Sequence, residues 1–270
     1  MSSSAPQLPP APAPEPEGEV KLTFLDHLRE LRVRLFRAIL GVLVGMVAVG
    51  VFAERVFHLL MTPVLLSLPE KQQQLHFTSS VEPLMVYLKL AVYGGIFAAM
   101  PWVLWQLWLF IAPGLYKREK RVVFPFIGFG TLLFYAGAAF CYFVVMPAAF
   151  PAMVSIANDA SLAPMLTMSA QLSLVLAMLL GFGVVFEVPV VIAFLSIVGL
   201  VTPAFLAKYR RHAIIANVGL AALITPTGDP LNLALMALPM IVFYEIGILL
   251  ARILGKKPPP EEAIARADGA

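Results

Sequence analysis

Cysteine is almost missing from this 270-residue chain: Cys141 is the single one, which excludes an internal disulfide and any cysteine-based metal site. Charge is scarce as well, at 13% of residues against roughly 25% in an ordinary soluble domain. The four histidines, His27, His58, His76 and His212, are scattered, and no His-Glu-x-x-His, Gly-x-Ser-x-Gly or Walker sequence occurs. Zinc proteolysis, serine hydrolysis and nucleotide hydrolysis therefore have no support, and neither an enzymatic activity nor a cofactor is expected. The segment from Met1 to about Glu19 lacks a basic stretch followed by an apolar core and a small-residue cleavage site, so it is not read as a signal peptide. Nor does one half of the chain repeat the other, as it does in many secondary transporters.

What the chain has in abundance is apolar sequence: 60% of residues are hydrophobic and the mean hydropathy is +0.87. The apolar runs are long enough for helices and lack the ten-residue alternation of barrel strands, so the fold class is an all-α integral membrane protein. Spans are expected at about Val33–Phe52, Leu84–Ile111, Val122–Met146, Ala170–Leu200, Ala213–Ile224 and Leu231–Leu250. An amphipathic turn from Thr23, with Asp26 three residues on as in a capping box, leads into the first. Between the first two spans a short helix is expected near Val56–Leu66, interrupted by Pro63, and Pro147–Ser169 reads as a long connection. Trp102, Trp105 and Trp108 suit an interfacial belt. Pro125 fits a first helical turn, where its missing N–H is harmless. Pro189 is expected to kink the over-long fourth span. The fifth segment, twelve residues or about 18 Å of helix, is too short for an ordinary bilayer. Residues 1–22 and 253–270 read as disordered cytoplasmic tails flanking a membrane domain at 23–252.

Six passes put the N-terminal tail, the Lys117–Arg121 loop, the Lys208–Arg211 loop and the C-terminal tail on one side. Sixteen of the nineteen basic residues then fall there, leaving Arg55, Lys71 and Lys89. By the positive-inside rule both termini are cytoplasmic.

Four acids stand out. Glu119 lies among Lys117, Arg118, Lys120 and Arg121; it either softens repulsion in a topogenic loop or faces a cationic partner. Glu30 either pairs with Arg34 at i,i+4, for a few tenths of a kcal/mol, or serves the same partner. Glu187, mid-span in Gly-Phe-Gly-Val-Val-Phe-Glu-Val-Pro, either bonds a neighbouring helix in its protonated form or faces a functional cavity. Asp229 suits a cap for the sixth helix. Glu187 with Lys89 also leaves open a proton-coupled small-solute transporter.

Taken together, Phe24-Leu-Asp-His-Leu-Arg-Glu-Leu-Arg-Val-Arg-Leu35, Phe110-Ile-Ala-Pro-Gly-Leu-Tyr-Lys-Arg-Glu-Lys-Arg121, Phe186-Glu-Val-Pro189 and Leu223-Ile-Thr-Pro226 resemble the TatC family, the polytopic subunit of the twin-arginine protein translocase, over roughly Thr23–Lys257. The resemblance implies six transmembrane helices, the last two short, forming a concave, cupped bundle in the bacterial inner membrane. It implies a receptor for twin-arginine signal peptides of folded cargo, working with TatB-type and TatA-type single-span subunits and other copies of itself on the proton motive force. Lipid surrounds it and no nucleic acid is involved. Glu30 and Glu119 would contact the arginines, with Phe110, Arg32 and Lys117 in the same site. Glu187 would be the cavity acid and Pro63 part of a functional extracytoplasmic loop. Asp229 would sit at an extracytoplasmic tip, which Thr227-Gly228 makes one residue longer than the family pattern.

Overall fold

The computed structural model describes residues 24–68, 73–111, 120–159, 166–224 and 230–255. Among them every extended element is helical: α1 Phe24–Val51, α2 Ala53–Leu66, α3 Glu82–Ile111, α4 Lys120–Phe140, a π-helical turn Cys141–Val145, α5 Met146–Asp159, α6 Met168–Phe186, α7 Val188–Val198, α8 Pro203–Lys208, α9 Arg210–Ile224 and α10 Pro230–Leu254. Five stretches are long and apolar enough to cross a membrane. The residues of α9 rise about 22 Å, short of the ~30 Å hydrocarbon core. Both expected tails lie outside the described residues, apart from the last residues of α10 and Gly255.

Several boundaries move, each for a physical reason. The expected interfacial turn and first span are one uninterrupted helix, because nothing between Phe24 and Val51 breaks the backbone ladder; Thr23 lies outside the described residues, and Asp26 pairs instead with Arg29 at 3.6 Å. Pro63 does not interrupt α2 but sits inside it. The expected connection after Met146 is helical to Asp159. The chain reaches Pro147, which cannot donate to the preceding turn, by widening into the π turn one turn earlier, where Met146 N–H donates to Cys141 C=O. Pro125 stands in the second turn of α4 rather than the first, since that helix already begins at Lys120. At Glu187 the fourth span breaks as Pro189 requires, with Glu187 N–H turning back to Val184 C=O at 3.0 Å and Val191 N–H restarting the ladder on Glu187 C=O at 2.9 Å. α7 stops at Gly199, whose φ of 86° is left-handed and open to glycine.

The central element is α6 with α7, 67% buried inside the protein over its most apolar window. Its own Leu172, Leu176 and Phe182 join Met61 of α2 and Leu90 of α3 in the largest core, with the fully buried Phe134 of α4 alongside. Gly183 lets the Phe134 ring lie against α6, and Gly137 lets α4 approach Phe182 C=O, where an added Cβ would come within 2.6 Å. Trp108 is 4% exposed and packs edge-on against Phe194 at 4.5 Å. It therefore belongs to the core and not to the interfacial belt, which keeps Trp102 and Trp105, both exposed.

α1 is different: its apolar side chains are largely uncovered, Phe36 at 68% and Val47 at 69%, as expected for a surface facing lipid. Its extensive partner is α3, and the two run antiparallel, with Val49 against Gly94, Gly45 against Gly95 and Gly41 under Trp102. Apolar burial gives no drive between helices in lipid, so association depends on close backbone approach. A Cβ at Gly95 would stand 2.6 Å from Met46 N, and one at Gly45 would stand 2.6 Å from Gly95 C=O. At the opposite end of α3, Glu82 accepts from Thr78 N–H at 2.6 Å and from Ser169 N–H at 3.0 Å, fixing its start to that of α6. Gly95→Leu is expected to lower the thermal midpoint in detergent by several degrees, because backbone cannot yield to overpacking that typically costs about 1–3 kcal/mol. Gly128→Leu, where an added Cβ meets nothing within 4 Å, is the matched control and should melt within a degree or two of the parent by the same scanning measurement.

Candidate functional site

The α1–α3 register decides which sequence motifs meet. Trp102 Nε1 donates to Arg37 C=O at 2.9 Å, and two turns further along α3 the Phe110 ring stacks on His27 at 4.5 Å with 24° between planes. Glu30 and Arg34 lie between His27 and Arg37 on the face of α1 turned to α3, because positions 27, 30, 34, 37 and 41 follow the helical repeat. The turn of α1 that carries Glu30 thus adjoins the His27–Phe110 contact, although eighty positions separate Glu30 and Phe110 in sequence. His27, one turn before Glu30, is the contact that motif reading missed; its i,i+3 spacing to Glu30 was the available signal.

Glu30 Oε1 accepts from Arg34 Nη2 at 3.1 Å, and both side chains are roughly four-fifths buried. The local ion-pair reading is therefore present. It is a single-point contact, whereas a guanidinium can engage a carboxylate through two parallel N–H donors. Arg32 projects elsewhere: two residues on, it is exposed beside Leu35 and Phe36 on the outward side. Glu119 and Lys117 lie outside the described residues, bounded by the end of α3 at Ile111 and the start of α4 at Lys120. The Trp108 contacts with Phe126 and Phe194 bring the end of α3, the start of α4 and the last turns of α7 to one level. α10 runs parallel to α7, with Gly247 against Ile192 and Gly255 against Ser196. Arg210 of α9 meets Glu245 of α10 at 2.8 Å. The described basic residues of α1, α8, α9 and α10 accordingly gather towards one end of the bundle.

Glu187 is at the α6–α7 break, 9% exposed. Its Oε1 is buried without a hydrogen-bond partner, and Gly130 of α4 leaves the room its carboxyl occupies, since an added Cβ there would come within 2.9 Å of Oε2. Lys89 does not share this place. It donates to Ser173 Oγ at 2.8 Å, fourteen residues or about 21 Å of helix from Glu187, so the two do not make one relay and the small-solute transporter reading finds no common site. Pro63 lines a cleft with Thr62, Tyr142, Phe143 and Pro147 beneath α2. Asp229 lies outside the described residues. No group of three or more His, Cys, Asp or Glu capable of holding a metal occurs among the described residues.

A family model described as Sec-independent protein translocase protein (TatC) matches residues 26–239. The TatC protein of Desulforapulum autotrophicum is 39% identical over 244 residues, 90% of this chain and 89% of that protein. That of Aquifex aeolicus is 38% identical over 233 residues, 86% and 95% of the two chains. A crystal structure of the twin arginine translocase receptor TatC aligns with a TM-score of 0.76 at 36% identity, covering 84% of this chain and 99% of the solved one. A second crystal structure of that receptor gives a TM-score of 0.75 and covers 86% and 100%. The helical, multi-pass membrane architecture, the ordered motifs and these similarities agree, and the chain belongs to the TatC family of Sec-independent protein translocase proteins.

Proposed function

We propose that this protein is the receptor subunit of a twin-arginine translocase, binding the consecutive arginines of signal peptides on folded cargo at the basic end of the α1–α3 pair. The observation that supports the reading is the stacking of Phe110 on His27, one helical turn from Glu30, with one Glu30 carboxylate oxygen engaged by Arg34 and the chain after Phe110 leading in sequence to Glu119. Two arginines presented to two acids are selected by geometry as well as charge. The planar guanidinium fork bonds a carboxylate at two points, and the compact ammonium of lysine does not. Arg32 and Lys117 set the positive surroundings that disfavour wrongly placed cationic segments.

The same reading assigns six passes, α9 being the short fifth, with both termini on the cytoplasmic side of a bacterial inner membrane. The sixteen-to-three division of basic residues supports that orientation. A helix as short as α9 favours a locally thinned or wetted bilayer. TatA-type and TatB-type single-span subunits and further copies of the chain are its partners, and the proton motive force drives transport. Glu187, an acid at membrane depth with its Oε1 buried and unpartnered, is kept for a polar partner, since fold stability alone would favour an apolar residue there. Pro63 and Asp229 serve the extracytoplasmic face.

Three outcomes are expected. Glu30→Ala and Glu119→Ala each abolish photo-crosslinking of a twin-arginine signal peptide to the Phe110–Arg121 stretch while the protein still accumulates in the membrane; undiminished crosslinking in both sinks the assignment. Single cysteines at Ser3 and Asp268 react with an impermeant maleimide only in inside-out vesicles and one at Gln73 only in right-side-out vesicles, and the reverse pattern refutes the topology. Glu187→Leu holds or raises the thermal midpoint yet blocks export of a folded reporter, so a variant that exports at the parent rate would remove the functional role given to this acid.

A further inference from the structure

Gln106 is 3% exposed, and its Oε1 is buried with no hydrogen-bond partner. It lies one turn beyond Trp102 and one turn before Phe110 on the same face of α3, the face turned to α1. Trp102 is fixed over Arg37 and Phe110 over His27, so Gln106 must stand opposite the intervening stretch of α1, which carries Glu30 and Arg34. Its immediate neighbours leave it unanswered: the Trp102 N–H is committed to Arg37 C=O, the Phe110 ring offers no donor, and the Arg34 guanidinium, which donates through Nη2 to Glu30, makes no bond to it. A buried carbonyl acceptor left open in this way is destabilising, and most buried polar groups are paired.

We propose that Gln106 is an additional specificity-determining acceptor in the signal-peptide site, its side-chain carbonyl receiving one N–H of a ligand guanidinium whose other donors engage Glu30. This deepens the receptor reading above and rests on it. The chemistry is particular to arginine. A guanidinium carries five N–H donors in a rigid plane and can span a carboxylate and an amide oxygen together, while an ammonium on a flexible stem concentrates its charge on the carboxylate alone. Gln106 therefore contributes to preference for arginine over lysine more than to attraction of positive charge. Within the protein, Arg34 holds Glu30 by one oxygen and leaves the amide unanswered.

The test uses the full chain in lipid nanodiscs, with a fluorescent peptide carrying two consecutive arginines and its twin-lysine counterpart. Gln106→Leu should weaken the twin-arginine peptide about tenfold or more, the effect of losing one hydrogen bond to a charged group, and leave twin-lysine binding nearly unchanged. Its thermal midpoint should hold or rise, because an apolar side chain of similar size removes an unsatisfied polar group. Gln106→Glu, which keeps an acceptor oxygen, should retain the arginine preference. A parent protein with no preference for the twin-arginine peptide refutes the receptor reading itself. A normal parent with full preference surviving in Gln106→Leu refutes only the role given to Gln106. A fall of several degrees in midpoint, or failure of the Leu variant to accumulate, also overturns it, since it would mark the amide as a satisfied structural group.

Discussion

The backbone contact between Gly45 and Gly95 carries more of this structure than its size suggests. α1 rests on α3 and presents most of its remaining surface to lipid. Lipid is as apolar as the helix, so no hydrophobic gain pins α1 in place; the pairing depends on backbone approach that only a missing Cβ permits at these two positions. Sliding α1 by one turn would keep its apolar outer face in lipid at little cost. It would, however, move Glu30 by about 5.4 Å relative to Phe110. The glycine contact, seconded by the Trp102 bond to Arg37 C=O, therefore sets the geometry of a site roughly 20 Å away along the helix axis.

The other half of the molecule is held differently. α6 and α7 are the most deeply enclosed of the apolar stretches, and the ring of Phe134 from α4 packs against Gly183 of α6. Into that rigid centre the sequence places a proline-induced break, and at the break an acid with a free oxygen. A carboxyl with one oxygen unpartnered at such depth is compatible with folding because the surrounding packing over-determines the backbone. The position could thus evolve for contact with a partner without loosening the bundle.

Much of this was legible from residue pattern. The apolar runs, the basic asymmetry and the Pro189 break are single-sequence signals, because each depends on local period, local charge or one ring. The continuation of α4 through Pro147 and Pro151 was not, since it depends on a π turn forming upstream, and prolines ordinarily end a helix. Trp108 was misplaced for a similar reason: tryptophan near a span end suits an interface, and only the tertiary partner Phe194 makes it core. Glu30 could be singled out as an acid on a basic helix, but its relation to Phe110 required the helix register, which glycine spacing hints at without fixing. Gln106 carried no signal at all. A single amide in an apolar helix becomes informative only when the structure shows its carbonyl buried and unanswered.

Under the proposed receptor reading, the α1–α3 pair divides the work of recognition. By the receptor reading, charge draws a basic segment to Glu30 and Glu119, yet charge alone cannot separate arginine from lysine. That separation needs acceptors arranged in the plane of a guanidinium, at positions that cannot shift to suit an ammonium. Helix-borne acceptors locked by glycine contacts and an indole hydrogen bond meet this requirement better than loop-borne ones, because their spacing is fixed by the helical rise. On that reading, acceptors left incompletely satisfied within the protein weaken its fold slightly and reserve their strongest bonds for the guanidinium that completes them.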